Sequence, residues 1–256
     1  MKMPVMFIGH GSPMNIIEKG RITNGWIQKA KEIPKPRAIL CVSAHWFTMG
    51  QYVSTAAAPE TIYDFYGFPE ELYQISYPAP GAPKLAEQAA NLLGSETIKD
   101  SERGLDHGAW CVLNSMYPEA DIPVFQASVN RLNSPWKSFQ AGQKLNALRN
   151  EGILIIGSGD VVHNLHLLNW QMQGGYPWAD SFDRYIKEAL VSHNIEFVLN
   201  YQQAGKEEQN SFYYRDHFDP LLYCLGAVSD TDTVEVFNDE RVFGSLSMTS
   251  YFWREK

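Results

Sequence analysis

The 256-residue sequence has only three cysteines, no long apolar run and no excess of positive charge. Cys41, Cys111 and Cys224 are far apart and form no CxxC pair, which favours reduced, mostly buried thiols in a cytoplasmic protein over a disulfide framework. The first apolar stretch ends after about five residues, too short for a signal peptide, and nothing approaches the ~20 apolar residues of a membrane-spanning helix. The net charge of -8 argues against non-specific binding to nucleic acid or to an anionic membrane.

Several common catalytic motifs are missing as well. The "GSGDVV" turn at 157–162 lacks the third glycine of a dinucleotide-binding loop, and no lysine follows a glycine-rich turn as it does in a P-loop. The sequence contains neither a GxSxG elbow nor an HExxH zinc motif. Ser12 lies close to His10, so a serine hydrolase stays open, although the usual acid–base context is absent.

The sequence does contain an alternation of strand-like and helix-like segments. Short apolar runs bounded by turn residues predict buried strands at 5–8, 38–43, 123–127, 153–156 and 234–237, and "VFGSLSMTSYFW" predicts one or two more. Amphipathic patterns predict helices at 82–94, 134–152 and 181–193. This alternation predicts an α/β fold with a central, mostly buried sheet flanked by helices. We expect one catalytic domain over residues 1–256, with residues 56–83 as a long loop excursion.

Three of the seven histidines follow predicted strands. His10 comes after "VMFI", His45 after "AILCVS", and His163 after "ILII" and a "GSGD" turn. Sites in α/β folds form outside the carboxyl ends of the strands, so these rings converge if the strands are neighbours. Converging neutral imidazoles suit Zn or Fe, and the glycines on both sides of His10 would let the backbone approach an ion. A single histidine in such a position is more often structural, so the predicted metal site depends on convergence.

Two further histidines lie among charged residues. His107 occurs in "GLDHGAW", where Asp106 is placed to orient the ring, and Asp160 is placed similarly close to His163. His217 occurs in "YRDHFDP", which is either a salt-bridged helix start or the position of another ligand or acid–base residue.

His166 and His193 fall within helical patterns, where a structural role is the simpler interpretation. The pair formed by His163 and His166, three residues apart, would also share one helix face and is a weaker alternative metal site.

Five segments, taken in order, resemble the class III extradiol ring-cleaving dioxygenases and within them the DOPA 4,5-dioxygenase-like group: "GHGSPMN", "SAHW", "DHGAW", "IIGSGDVVHN" and "RDHFDP". Each segment alone is a weak signal, but five in the right order over residues 7–219 are specific. The resemblance implies a cytoplasmic, non-haem Fe(II) enzyme that uses O2 to open the ring of a DOPA-like catechol. Zinc is the metal expected in purified protein, because imidazole-rich sites bind it more tightly than Fe(II).

The resemblance also implies roles for individual histidines. By motif match, His10 and His45 would be metal ligands. Many members of the wider class supply a carboxylate as the remaining ligand, whereas the matching position here is His217. His163 would be the active-site base, or a further ligand in a zinc-loaded form, and His107 would be the acid of the later steps.

Two other functions would use the same cluster of histidines. A zinc-dependent hydrolase would use the ligands to activate water. A non-catalytic metal-binding or partner-binding protein would retain the scaffold alone, and a closed four-ligand site would favour that role. For the dioxygenase, the expected partners are a small-molecule catechol and O2, with no nucleic acid and no membrane.

Overall fold

A mixed β-sheet of eight strands runs through the centre of the computed structural model, which describes residues 2–256. Two further short strands form a separate two-stranded sheet. The strands are β1 (Val5–Gly9), β2 (Ala38–Thr48), β3 (Tyr52–Ser54), β4 (Ile98–Asp100), β5 (Val124–Asn130), β6 (Ile153–Gly159), β7 (Asp232–Phe237), β8 (Arg241–Val242), β9 (Leu246–Ser247) and β10 (Ser250–Glu255).

Helices cover both faces of this sheet. They are α1 (Arg21–Lys31), α2 (Glu70–Tyr73), α3 (Pro83–Leu93), α4 (His107–Met116), α5 (Pro135–Leu145), α6 (Pro177–Val191), α7 (Ile195–Leu199), α8 (Glu208–Ser211) and α9 (Asp219–Ala227). Short 3-10 helices occupy Pro13–Ile16, Asn146–Glu151, Leu165–Leu167 and Tyr201–Glu207. Every helix within residues 2–256 is too short or too polar to cross a membrane.

Helix α5 shows how the sequence sets an element and where the prediction was too long. The Ser134 side chain accepts a hydrogen bond from the backbone N–H of Lys137, and Pro135 occupies the first helical position, as predicted. The α-helix ends at Leu145, and the predicted remainder to residue 152 forms the 3-10 helix Asn146–Glu151. The chain turns at Gly152 in a left-handed conformation that favours glycine, and β6 follows directly.

The strand order is β4-β3-β5-β2-β6-β1-β10-β7. Strands β5, β2, β6 and β1 are parallel neighbours, whereas β10 and β7 add antiparallel strands at one edge. At the other edge β3 pairs antiparallel with β5 and parallel with β4. The α/β class predicted from the sequence is therefore confirmed, with a parallel centre between mixed edges.

The central strands are buried on both faces, which explains why they are apolar throughout rather than alternating. In β1, Val5 and Phe7 pack into a core with residues of α3, α5, α6 and α9. Met6 faces the opposite side, where it joins Trp26 of α1 and Trp110 of α4. Burying one large apolar side chain stabilises a fold by about 1.5–3 kcal/mol, so the two cores together hold the helices against the sheet.

The parallel centre places three strand ends side by side. Strand β6 lies between β1 and β2, with Gly9 of β1 opposite Gly159 and Ser43 of β2 opposite Ser158. The carboxyl ends of all three strands therefore lie side by side at one end of the strands. This is the neighbour relationship on which the predicted convergence of histidines depends.

The 56–83 segment lies at the same end of the strands, next to their carboxyl ends. It contains one regular element before α3, the single helical turn α2. Thr61 forms a parallel bridge with Leu105, close to the start of α4. Residues 61–65 are thereby placed next to His107, the first residue of that helix.

Candidate metal centre

His10 is the first residue after β1, and its ring is buried at the edge of the sheet. The next residue, Gly11, has a φ of 59°, a left-handed conformation that favours glycine. Nδ1 of His10 lies 3.0 Å from the Ser158 hydroxyl oxygen, and that hydroxyl donates its proton to the Gly108 carbonyl at 2.5 Å. Because the serine proton is already used, Ser158 must accept from His10, and the proton of a neutral ring lies on Nδ1. The Nε2 atom of His10 is left with a free lone pair.

His45 projects from an irregularity in β2. The pairing of β2 with β5 shifts register between Ser43 and Phe47, so the residues between them bulge out of the ladder. The prediction ended this strand at 43, whereas the strand continues to Thr48 beyond the bulge. Nδ1 of His45 lies 3.1 Å from Oδ2 of Asp64. An ionised carboxylate only accepts, so the proton of a neutral ring lies on Nδ1 and Nε2 carries a free lone pair.

The two free lone pairs face each other, since Nε2 of His10 and Nε2 of His45 are 3.1 Å apart. With both ring protons directed elsewhere, no hydrogen bond joins these atoms, and their lone pairs repel. A cation between them removes the repulsion. Zinc binds imidazole nitrogen at about 2.0–2.1 Å, so two ligand atoms of one ion are at most about 4.2 Å apart. The observed separation therefore fits shared coordination.

His217 adds a third imidazole to the pair. One ring nitrogen each of His10, His45 and His217 lies within 4.8 Å of the other two. Nε2 of His217 is buried and has no hydrogen-bond partner in the described residues, whereas Nδ1 lies 3.2 Å from Oδ1 of Asp216. A buried polar group without a partner costs free energy unless something else satisfies it, so the ring fits a metal ligand. The three histidines thus provide a donor set that suits zinc or iron.

The protonation state of these rings also suits a metal. Burial and the neighbouring histidines hold the pKa of His10 well below its ordinary value. Burial lowers the pKa of His217 too, although the carboxylate of Asp216 acts in the opposite direction. Both rings are therefore neutral near pH 7, which is the form in which imidazole binds a metal.

Close packing of two backbones brings His217 to the strand ends. A Cβ atom on Gly159 would lie 2.1 Å from the carbonyl oxygen of His217, so a side chain does not fit at that position. The same carbonyl accepts a hydrogen bond of 2.9 Å from the backbone N–H of Asp160. Helix α9 begins two residues later at Asp219, so His217 lies in the turn before a helix start. The "GSGD" segment, predicted to be a turn, belongs to β6 as far as Gly159, and its glycines serve backbone packing.

His163 lies beside this group of three. Its ring stacks on that of His217, with centroids 3.4 Å apart and planes within 3°. A ring nitrogen of His163 comes within 4.8 Å of ligand atoms of Asp160 and His217, which forms a second, overlapping candidate group. The backbone N–H of His163 donates to the Ser211 carbonyl at 2.7 Å, which fixes the residue at the edge of the site.

His107 approaches from helix α4. Its ring centroid is 3.9 Å from that of His45 and 5.8 Å from that of His10. Oδ1 of Asp64 accepts from its backbone N–H at 2.9 Å and lies 3.0 Å from its Nδ1. Burial and the nearby His45 lower the pKa of His107, although Asp64 opposes this shift.

The prediction that Asp106 orients His107 was wrong. Asp106 is the N-cap of α4 and accepts hydrogen bonds from Ser43 at 2.6 Å and Gln126 at 2.8 Å. A capping side chain points to the backbone at the helix start, so it is not available to the ring of the next residue. The carboxylate that holds His107 is Asp64, from the 56–83 segment.

Asp64 was missed by sequence reasoning. It lies in "YDFYGFP" without a neighbouring histidine, and no periodicity marks its direction. Its side chain is 24% exposed and contacts both His45 and His107. Burial alone would raise the pKa of Asp64, but its contacts with the two histidines outweigh burial and hold the pKa well below its ordinary value. The signal available in the sequence was only the placement of an acidic residue within a long aromatic loop.

The last two histidines lie elsewhere. His166 is exposed in the 3-10 helix Leu165–Leu167, and His193 follows α6 with a φ of 55°. Neither belongs to a candidate metal group among residues 2–256, so the pair of His163 and His166 is not a local metal site.

A parallel sheet that gathers imidazoles outside its strand ends is typical of an α/β protein with a metal site. Residues 5–253 match the family described as "Catalytic LigB subunit of aromatic ring-opening dioxygenase", and the chain belongs to this family of class III extradiol dioxygenases. The resemblance inferred from five short segments is thereby confirmed.

Relatives resemble the chain over almost its whole length. The "4,5-DOPA dioxygenase extradiol" of Escherichia coli (strain K12) is 41% identical, over 97% of this chain and 94% of that protein. The "4,5-DOPA dioxygenase extradiol" of Beta vulgaris is 38% identical, over 96% of this chain and 94% of that protein. The crystal structure of an uncharacterized protein from Escherichia coli K12 superposes with a TM-score of 0.84 at 39% identity, over 98% of this chain and 99% of that one.

Proposed function

We propose that the protein is an Fe(II)-dependent dioxygenase that opens the ring of a DOPA-like catechol beside its two hydroxyls with O2. The observation that carries this proposal is the pair of facing Nε2 atoms of His10 and His45, 3.1 Å apart. Family membership supports ring opening as the reaction. The printed names of the relatives from Escherichia coli and Beta vulgaris support a DOPA-like substrate class.

His10, His45 and His217 would hold the metal, since one ring nitrogen of each lies within 4.8 Å of the other two and Nε2 of His217 is buried without a hydrogen-bond partner in the described residues. Bound Fe(II) would supply open coordination positions and redox chemistry for a catechol and O2. We propose zinc as the metal found after purification, because imidazole sites bind zinc more tightly than Fe(II). Zinc does no redox chemistry, so its presence would not identify the working metal.

We assign the role of base to His163. Burial and the adjacent His217 hold the pKa of His163 well below its ordinary value, so the ring is neutral near pH 7 and has a nitrogen available to accept a proton. A catechol hydroxyl is the proton donor that the reaction offers. The resulting imidazolium then stabilises negative charge that develops in the site. In a zinc-loaded form, the same ring would serve as a further ligand beside His217.

We assign the role of acid to His107. With Nδ1 facing Asp64, its Nε2 is the nitrogen left for proton transfer. The ring is neutral near pH 7 and must first take up a proton. The Asp64 carboxylate would stabilise the protonated ring, which then donates that proton in the later steps. The ring of Phe65 lies edge-on to that of His107 with centroids 5.5 Å apart, so it forms part of the wall against which an aromatic substrate packs.

We place the protein in the cytoplasm. All three cysteines are free and buried, which suits a reducing compartment.

The direct test is anaerobic loading with Fe(II), followed by mixing with L-DOPA or catechol and then O2. A yellow ring-opened product that appears with matching O2 uptake supports the proposal, and the zinc-loaded protein should form none. Hydrolysis that runs with zinc and needs no O2 would identify a zinc hydrolase instead. Inactivity in both assays would leave a binding role, and His10→Ala serves as the control without the metal site.

A further inference from the structure

Asp160 is a buried carboxylate at the carboxyl end of β6. It follows Gly159, the last residue of that strand, and its side chain is fully buried. Its backbone N–H donates to the His217 carbonyl at 2.9 Å, and its Oδ1 accepts from the Gly11 N–H at 3.1 Å. These contacts fix the backbone and one carboxylate oxygen, so the direction of the other oxygen is also fixed.

The second oxygen, Oδ2, has no hydrogen-bond partner within residues 2–256. Leaving a buried carboxyl oxygen without a partner is costly, and such an atom in a native fold indicates a missing partner such as an ion. The Oδ2 atom lies 3.8 Å from Nε2 of His10, too far for a hydrogen bond. That nitrogen is the one that faces His45.

The distance to His10 allows Oδ2 to share an ion with that ring. Two ligand atoms of one ion with bonds of about 2.1 Å can be up to about 4.2 Å apart, and the 3.8 Å between Oδ2 and His10 Nε2 is within this limit. An oxygen of Asp160 also lies within 4.8 Å of ring nitrogens of His163 and His217. A carboxylate would bring negative charge to a donor set of neutral imidazoles.

We propose that Asp160 is a fourth protein ligand, which binds the divalent cation through Oδ2 next to His10, His45 and His217 in the substrate-free protein. This inference rests on the proposed metal centre. Four protein ligands would leave two positions on a six-coordinate ion. In a zinc-loaded form, where four ligands complete a tetrahedral site, Asp160 would compete with His163 for the fourth position.

The test compares cobalt binding by the wild-type protein, Asp160→Asn and Asp219→Asn. Asparagine keeps the shape and the Oδ1 acceptor for Gly11 but removes the charge. Asp219 is a matched control, because it is equally buried and has one unpartnered oxygen but belongs to no candidate metal group in the described residues. The apparent Kd for Co²⁺ is measured by competition with a chromophoric chelator, and the visible absorption of bound Co²⁺ reports the ligand set.

For Asp160→Asn we expect the Kd to rise by at least about 10–100-fold, the loss typical of a group that supports a metal site, and the cobalt spectrum to shift. Asp219→Asn should keep the wild-type Kd and spectrum. An unchanged Kd for Asp160→Asn, or a weaker Kd with the wild-type spectrum, would place the carboxylate outside the coordination sphere and overturn the inference. His10→Ala separates the two proposals, since retention of cobalt by that variant would refute the metal centre itself.

Discussion

The Oδ2 atom of Asp64 lies 3.1 Å from Nδ1 of His45, and Oδ1 of the same carboxylate lies 3.0 Å from Nδ1 of His107. One side chain thus sets the tautomers of a proposed ligand and of the proposed acid. Groups that orient metal-binding histidines in this way typically affect affinity or activity by about 10–100-fold. Asp64 is therefore the residue through which the 56–83 segment acts on the site.

Replacing Asp64 with Asn should lower kcat by roughly 10-fold or more and weaken metal affinity, because an amide cannot accept from both rings as a carboxylate does. The measurements are kcat and KM for the Fe(II)-loaded protein, and the Kd for zinc. Asp121→Asn removes a surface carboxylate that pairs with Lys35 and should change neither quantity. Wild-type kinetics and affinity in Asp64→Asn would show that the contact has no functional role.

His10→Ala and His45→Ala should each remove the bound metal, since each takes away one of two nitrogens that face each other at 3.1 Å. Metal content is measured by elemental analysis after dialysis against metal-free buffer, and circular dichroism checks the fold. His193→Ala, at the end of α6, is the matched histidine control and should keep the wild-type content. A full equivalent of metal in both site variants would mean that the site is placed wrongly.

His163→Ala should leave metal content largely intact while ring opening falls by roughly 10²-fold or more, because acid–base steps contribute about that much. The relevant measurements are metal per chain and the rate of product formation with Fe(II). His166→Ala removes a nearby exposed histidine and should keep wild-type activity. Loss of metal from His163→Ala would instead make this ring a ligand.

Gly159→Ala should displace the backbone that carries His217 and so disturb the metal centre. Its new Cβ would lie 2.1 Å from the His217 carbonyl oxygen, so the turn that carries His217 must move. We expect a loss of about 1–3 kcal/mol in the free energy of unfolding, typical of overpacking, together with weaker metal binding. In Gly20→Ala the nearest atom is 3.7 Å away, an ordinary contact, so the fold and the site should be unaffected. Metal affinity equal to wild type in Gly159→Ala would contradict this account of the turn.

A buried ion pair far from the histidines should control stability. Both Arg149 and Asp232 are fully buried as side chains, with Nη1 and Oδ2 2.6 Å apart, and Arg149 also donates to the carbonyls of Met3 and Ala227. Arg149→Met leaves the Asp232 carboxylate buried without its partner, so we expect a loss of about 3–5 kcal/mol at pH 7. Urea denaturation measures this loss.

The loss in the free energy of unfolding of Arg149→Met should become smaller as the pH falls. Burial alone would raise the pKa of Asp232, but the hydrogen bond from Arg149 outweighs burial and lowers it. A carboxyl group whose pKa is lowered in the folded state stabilises the folded protein at pH values above its unfolded pKa of about 3.9. This contribution disappears as the pH falls through the folded pKa. The difference between wild type and Arg149→Met should therefore shrink at acidic pH. Arg37→Met removes an exposed arginine and should cost less than about 1 kcal/mol at any pH.

Much of this architecture was readable from the chain alone. Continuous apolar runs identified the parallel strands, because a strand covered on both faces has no polar side. Histidines at strand ends pointed to the candidate metal centre, since neighbouring parallel strands end side by side. These inferences needed only local patterns and one general rule about α/β sheets.

Other features were decided by contacts between distant segments. The sequence placed Asp106 beside His107, but capping of α4 engages that carboxylate, and the ring is held by Asp64 from a loop without periodicity. The bulge that directs His45 and the approach of His217 to Gly159 likewise depend on how strands and turns pack. Local sequence therefore determined which elements form and which chemical groups they carry. The tertiary structure decided which groups meet, because side-chain direction depends on register and packing across many residues.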